Sequence, residues 1–321
     1  MRVLEFINGD FSPGRLFVFI AVALVAGPGC PREVVRESGG AVPQEHIEVG
    51  EMAPVVPVRS GRFDKRLVPE CSGLVASRKH AGVFWTHSDS GNAATLVPVR
   101  ADGSVVGKRA VGVRVDNASN IDWEALALDG AGQLIVADVG NNHSNRRNLT
   151  LLVLPEPDPW TAQSVRARHI AVRYADQRDF PDRGKRFDCE AVFVWNGAIY
   201  ALTKRWSDTW TVLYRLRMQD ARRGVFEPVT SFDSRGLVTD AGVSPDGRML
   251  AILTYHGLWV FVLPERGVNP LSGSVLFRRL QFPLTSWQAE AVAFVDNENV
   301  IIGTEQGDLY ALALSRLSKV R

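Results

Sequence analysis

The stretch Asp122–Asp129 reads D-W-E-A-L-A-L-D, and versions of it return across the chain. Aligned on the acidic residue, they are E-C-S-G-L-V-A-S from Glu70, E-A-L-A-L-D-G-A from Glu124, E-A-V-F-V-W-N-G from Glu190, D-A-G-V-S-P-D-G from Asp240 and E-A-V-A-F-V-D-N from Glu290. The intervals between them are 54, 66, 50 and 50 residues. In each copy a carboxylate leads a short apolar run, a turn follows, and a second apolar run begins: Val83–Trp85, Leu134–Ala137, Ile199–Leu202, Met249–Leu253 and Val300–Gly303. Short strands at a period of roughly 40–50 residues predict an all-β chain folded as a β-propeller.

The three intervals from Glu124 to Glu290 each hold enough strand for a four-stranded blade. Between Glu190 and Asp240, for example, Ala191–Trp195, Ile199–Thr203, Thr211–Leu216 and Phe226–Ser231 qualify. The last copy has only three before the C-terminus, and Val55–Arg59 is the candidate for the fourth. Five four-stranded blades are therefore expected, with six the alternative, and pairing of the two chain ends would leave no open sheet edge.

The sequence divides into residues 1–30, a linker over 31–53 and the propeller over 54–321. Leu16–Gly27 is an uncharged, mostly apolar run of twelve residues behind Arg15, too short to span a bilayer, which needs about 20. It reads as an export signal, with Cys30 in Gly27-Pro28-Gly29-Cys30 as a candidate lipidation site; ordinary signal cleavage near Ala23–Gly27 is the alternative. Residues 31–53 lack an apolar period and read as a flexible tether. These features place the protein in the cell envelope, touching a membrane through its N-terminal lipid alone. Lys, Arg, Asp and Glu make up 22% of the chain for a net charge of +2, and the basic residues are scattered, which argues against nucleic acid as a partner. Cys71 and Cys189 fall on blades that are not neighbours, so two buried thiols are expected rather than a disulfide.

The repeat predicts that Glu70, Glu124, Glu190, Asp240 and Glu290 converge at one end of the axis. Carboxylates packed together raise one another's pKa unless a counter-charge intervenes. Oxygen ligands without clustered His or Cys favour a hard ion such as Ca²⁺, and Asp138 joins the candidate ligands. The competing reading has each carboxylate capping backbone N–H groups or pairing with arginine. Loops after the second strands vary between blades, as a binding site requires. They supply His87, Asp89, Asn141, Asn142, Arg146 and Glu305 as candidate substrate contacts, with Lys204, Arg205 and His256 as candidate catalytic groups. Lys204 and Arg205 would suit a small anionic ligand. H-E-x-x-H, G-x-S-x-G, Walker and dinucleotide glycine patterns are missing from the sequence, which excludes those chemistries in their usual form.

S-G-L two residues after Glu70, D-S-G-N at Asp89–Asn92, and D-W-E-A-L-A followed by A-D-V-G-N-N with Arg146 nearby resemble exported bacterial propellers of the esterase-like or phytase-like and SdiA-regulated groups. More distantly the pattern is similar to gluconolactonase and paraoxonase propellers. That resemblance implies calcium held by axial Glu, Asn and Asp residues and a hydrolase of phosphate esters or lactones. A non-catalytic propeller binding a ligand or an envelope protein through the same face is the second expectation.

Overall fold

The computed structural model describes residues 41–107, 111–284 and 288–321. The export run Leu16–Gly27 and Cys30 lie outside the described residues. The fold is an all-β propeller built from antiparallel sheet units, in which consecutive strands step outward from a central axis.

Before the first unit come β1 (Gln44–Glu45) and β2 (Val58–Arg62). The first unit is β3 (Cys71–Ala76), β4 (Phe84–Ser88), β5 (Thr95–Val99) and β6 (Val113–Val115). The second is β7 (Trp123–Leu128), β8 (Gln133–Asp138) and β9 (Thr150–Pro155), then β10 (Ser164–Val165), which crosses back to the edge of β6, and β11 (Arg168–Tyr174). The third is β12 (Asp188–Trp195), β13 (Ala198–Lys204), β14 (Trp210–Asp220) and β15 (Arg223–Asp233). The outer strands β11 and β15 pair in parallel, joining the second and third units into one continuous sheet. The fourth is β16 (Val238–Val243), β17 (Met249–Thr254), β18 (Gly257–Val262) and β19 (Val275–Arg279). Last come β20 (Ala289–Phe294), β21 (Asn299–Thr304) and β22 (Asp308–Ala313), with β23 (Ser318–Lys319) returning to β19. The innermost strands β3, β7, β12, β16 and β20 neighbour one another in that order, and β20 neighbours β3 again.

Local chemistry explains the hairpins. Asn196 and Gly197 join β12 to β13 with φ of 49° and 73°, the left-handed pair that a two-residue hairpin of matching twist needs. The core lies between sheet faces. Trp85, Trp123 and Trp259 are fully buried in it, as are the free thiols of Cys71 and Cys189.

The strand that completes the last unit is β2, antiparallel to β22 from Val58↔Ala311 to Arg62↔Asp308. It lies three residues later than the expected Val55–Arg59, because Val55 instead bridges Leu280 of the fourth unit. Residues 41–53, expected within the tether, pack on the propeller instead. From residue 41 the chain runs along the propeller: β1 pairs with β15, and Ile47, Val49 and Met52 pack against the apolar cluster around Trp259 and Phe261. Those three apolar residues, spaced too irregularly to show a period, fix the segment.

Candidate functional site

Every innermost strand has the same irregularity at its start. The register shifts between Cys71 and Gly73, Trp123 and Ala125, Cys189 and Ala191, Val238 and Asp240, and Ala289 and Ala291. One extra residue in each strand is a β-bulge, which re-aims a side chain out of the sheet. The bulged residues are Ser72, Glu124, Glu190, Thr239 and Glu290, and these form the ring of equivalent positions at this end of the axis.

Two expected members therefore move. Glu70 is exposed and sits two residues before its strand's bulge, level with Asp122 and Asp188. Asp240 follows its bulge and points inward. Its carboxylate accepts the N–H groups of Ala241 at 2.8 Å and of Val292 at 2.7 Å, and also that of Leu74 across the axis. Fully buried, it ties β16, β20 and β3 together and is no part of an open site. The expectation of backbone capping describes Asp240, while the three glutamates have other partners.

Around the bulge ring the charges split into two halves. On one side Lys204 Nζ lies 3.2 Å from Glu190 Oε1, with the rings of Trp206 and Tyr255 centred 4.9 and 5.1 Å from the ammonium. Burial opposes the Lys204 charge, but Glu190, Glu290 and Glu124 outweigh it and hold its pKa above the ordinary lysine range. Lys204 is thus a fixed cation. Burial pushes Glu290 up to about 8, with Lys204 restraining the rise and Glu305 and Asp89 adding to it. Glu190 is raised by burial and by Asp188, again against Lys204.

On the other side the counter-charge is Arg146, whose Nη1 lies 4.0 Å from Asp122 Oδ2. Carboxylate oxygens of Asp89, Asp122 and Glu124 lie within 4.8 Å of one another, a spacing that one metal ion could span. Burial, then Glu190, Asp89 and Asp122, raise the Glu124 pKa well above its usual value. Burial and the neighbouring Asp89, against Arg146, bring Asp122 to about 6. Ser72 donates its hydroxyl proton to Glu124 Oε2 at 2.8 Å, fixing that carboxylate's orientation. Gly140 leaves the space: a Cβ there would stand 2.5 Å from Asp122 Oδ2 and 2.6 Å from Glu124 Oε1. Three converging hard oxygens, two of them packed directly over the bare Cα of Gly140, suit a divalent cation of the calcium class.

The remaining candidates mostly build the walls. Asp138 accepts the Asp122 N–H at 3.1 Å and Arg146 Nη2 at 2.8 Å, so both of these bonds serve the loop. Arg146 also donates to the Gly140 carbonyl at 2.6 Å, which shapes the turn under Asp122. Asn141 is buried, accepts from the N–H groups of Asn145 and Arg146, and donates its own N–H to Asp188 at 2.6 Å. Asn142 is exposed. His87 is buried against Trp123, its pKa lowered to about 4 by desolvation, and its Nε2 faces Gly73 inside the fold. It is neutral and shielded, unsuited to act as a base. Asp89 and Glu305 do face the mouth. Glu305 Oε2 has no partner among the described residues, and burial with Glu70 and Asp89 raises its pKa.

Two of the three catalytic candidates lie elsewhere. Arg205 pairs with Asp208 at 2.6 Å and lines a cavity with Asp176, Arg186 and Tyr214. His256 is exposed beside Val49–Ala53, Arg235 and Arg279. Adjacent residues on a strand face opposite ways, so Lys204 at the axis turns Arg205 outward. Asp122, Asp188, Gly140 and Trp206 are site residues beyond the expected set. Trp206 is 46% exposed at the mouth, its indole N–H fixed on Asp188 Oδ2 at 2.9 Å. The triplets E-C-S, D-W-E, D-C-E, L-V-T and Q-A-E at the start of each inner strand carried the signal, had they been aligned on the apolar middle residue.

No protein-family model matches the chain, and no curated protein is similar to it in sequence. Solved structures with a related fold include a candidate gluconolactonase, 12% identical over 78% of this chain and 76% of that one, with a TM-score of 0.41. The β-propeller domain of Cps50 (Swd1) from Myceliophteria thermophila is 16% identical over 78% and 72%, at 0.42. PQQ-bound aldose sugar dehydrogenase from Streptomyces coelicolor is 10% identical over 85% and 99%, at 0.45. At these identities the likeness concerns the fold alone.

Proposed function

We propose that the protein is an envelope propeller that binds one calcium-class ion at Asp89, Asp122 and Glu124 and hydrolyses a neutral cyclic ester, a lactone, over it. The observation that carries this is the acid-rich half of the axial ring: three clustered carboxylates answered by one arginine, Arg146, 4.0 Å from Asp122, a glycine that lets two of them approach, and a lysine committed to the opposite half. When bound, the ion would polarise the ester carbonyl as a Lewis acid.

The chain's own groups supply the rest. Glu305, with a buried unpartnered oxygen and a raised pKa, would take the proton from the attacking water. Water oxygen then bonds to the carbonyl carbon, the ring C–O bond breaks, and the proton passes to the departing alkoxide, leaving a hydroxy acid. Trp206, pinned by Asp188, offers an apolar face to the substrate ring. Charge favours the lactone over a phosphate ester. Glu70, Asp89, Asp188, Glu290 and Glu305 all act on this mouth, and an anionic substrate would be repelled whereas an anionic product would be helped out. Export and attachment through Cys30 belong to the same reading and rest on the N-terminal sequence.

A panel of lactones and aryl phosphates assayed with calcium tests it. Lactone hydrolysis should fall at least 100-fold in Asp122→Asn and in Glu305→Gln, while only the first loses calcium binding. Calcium binding without turnover of any substrate would instead mark a binding propeller.

A further inference from the structure

The opposite end of the axis has its own concavity, independent of the acidic site. Where the innermost strands finish, Leu74–Ala76, Leu126–Leu128, Val192–Val194, Ala241–Val243 and Val292–Val295 enclose a cavity of about 500 Å³. That lies within the roughly 300–1,000 Å³ of small-molecule sites. Its floor is closed, because Asp240 holds the backbones of Leu74, Ala241 and Val292 together on the axis. The cavity is therefore a blind pocket whose wall mixes aliphatic side chains and Phe84, Phe193 and Phe294 with polar groups of the rim.

Its rim is not uniform. The β3–β4 connection, Ser77–Val83, is longer than the equivalent turns Asp129–Gly132, Asn196–Gly197, Ser244–Arg248 and Val295–Glu298. It overhangs the pocket and carries Arg78 and Lys79, which are the ionisable side chains among the lining residues. Lys79 reaches across the rim toward the second unit, its Nζ 3.4 Å from the Gly132 carbonyl. Acidic groups on neighbouring turns are engaged locally: Asp129 with the N–H groups of Ala131 and Gln133, Asp246 with Ser244 and Arg248, Asp296 with Glu298 and Asn299. An apolar well under a basic overhang is complementary to one kind of small molecule.

We propose that this pocket binds a single-chain amphiphile, an aliphatic tail seated between the strand ends with its anionic head on Arg78 and Lys79. Burying methylenes drives the tail in, and the basic pair selects the head. Carboxylate and phosphate heads share that chemistry.

Calorimetric titration of the purified propeller with dodecanoate, dodecyl phosphate and dodecyltrimethylammonium, all below their aggregation concentrations, tests the pocket. One anionic amphiphile should bind per chain, the cationic one at least tenfold more weakly, and decanoate about tenfold more weakly than dodecanoate. Comparison of the two anions shows which head is the ligand. Val295→Trp changes a rim residue that is already 44% exposed and should abolish binding without lowering the melting temperature. Arg78→Glu with Lys79→Glu should reverse the head-group preference. Absence of saturable binding, or binding unchanged in Val295→Trp, would overturn the proposal.

Discussion

Gly140 decides how the acidic residues can be arranged. Its missing Cβ lets the Asp122 and Glu124 carboxylates close in on the turn, and the Arg146 side chain secures that turn through the Gly140 carbonyl. Gly140→Ala should push those carboxylates apart, costing about 1–3 kcal/mol as an overpacked site does. Calcium affinity should drop at least tenfold, measured by titration, while Lys204 and Glu190 on the other half stay paired. An unchanged affinity would mean that the close approach over Gly140 has no part in ion binding.

At the scale of strands, the β-bulge is the feature that aims the ring, and it is also what the sequence hid. The repeated apolar runs, the turn residues and the pairing of the two chain ends were legible, since each rests on local periodicity. Glu124, Glu190 and Glu290 were legible for the same reason. Glu70 and Asp240 were misplaced because matching acid to acid ignores the bulge: Asp240 lies one residue past it, a slip that changes the face, and Glu70 lies two residues before it, level with Asp122 and Asp188. Arg205 and His256 depend on side-chain direction and on the docking of residues 41–53, neither of which leaves a local pattern. The closing strand makes its own prediction. Removing residues 41–62 would expose the hydrogen-bonding edge of β22 from Asp308 to Ala311, together with Asp308 stripped of its Arg59 partner at 2.6 Å. An open edge invites pairing with other chains. The truncated protein should accumulate as aggregate in sedimentation, where the intact propeller remains monodisperse.

Across the whole molecule the axis stores like charge at one end and apolar surface at the other, with Asp240 between them. The charged end makes stability depend on pH in an unusual direction. Glu290 rises from 4.5 to about 8 and Asp122 from 3.8 to about 6 on folding, so the unfolded chain releases these protons at lower pH than the folded one. Between about pH 4 and 8 the folded state holds more protons, and stability must fall as pH rises. The calcium-free protein should therefore melt at a lower temperature at pH 8 than at pH 5. Saturating calcium, which binds the ionised carboxylates of the folded state, should flatten or invert that slope; a hundredfold excess over Kd adds about 2.7 kcal/mol. The most direct measurement is calorimetric titration of calcium into chelator-stripped protein at pH 8, beside Asp122→Asn/Glu124→Gln. One ion per chain in the parent protein and none in the double variant is the result predicted. No binding in the parent protein, or equal binding in both, would contradict the assignment of Asp89, Asp122 and Glu124 as a cation site.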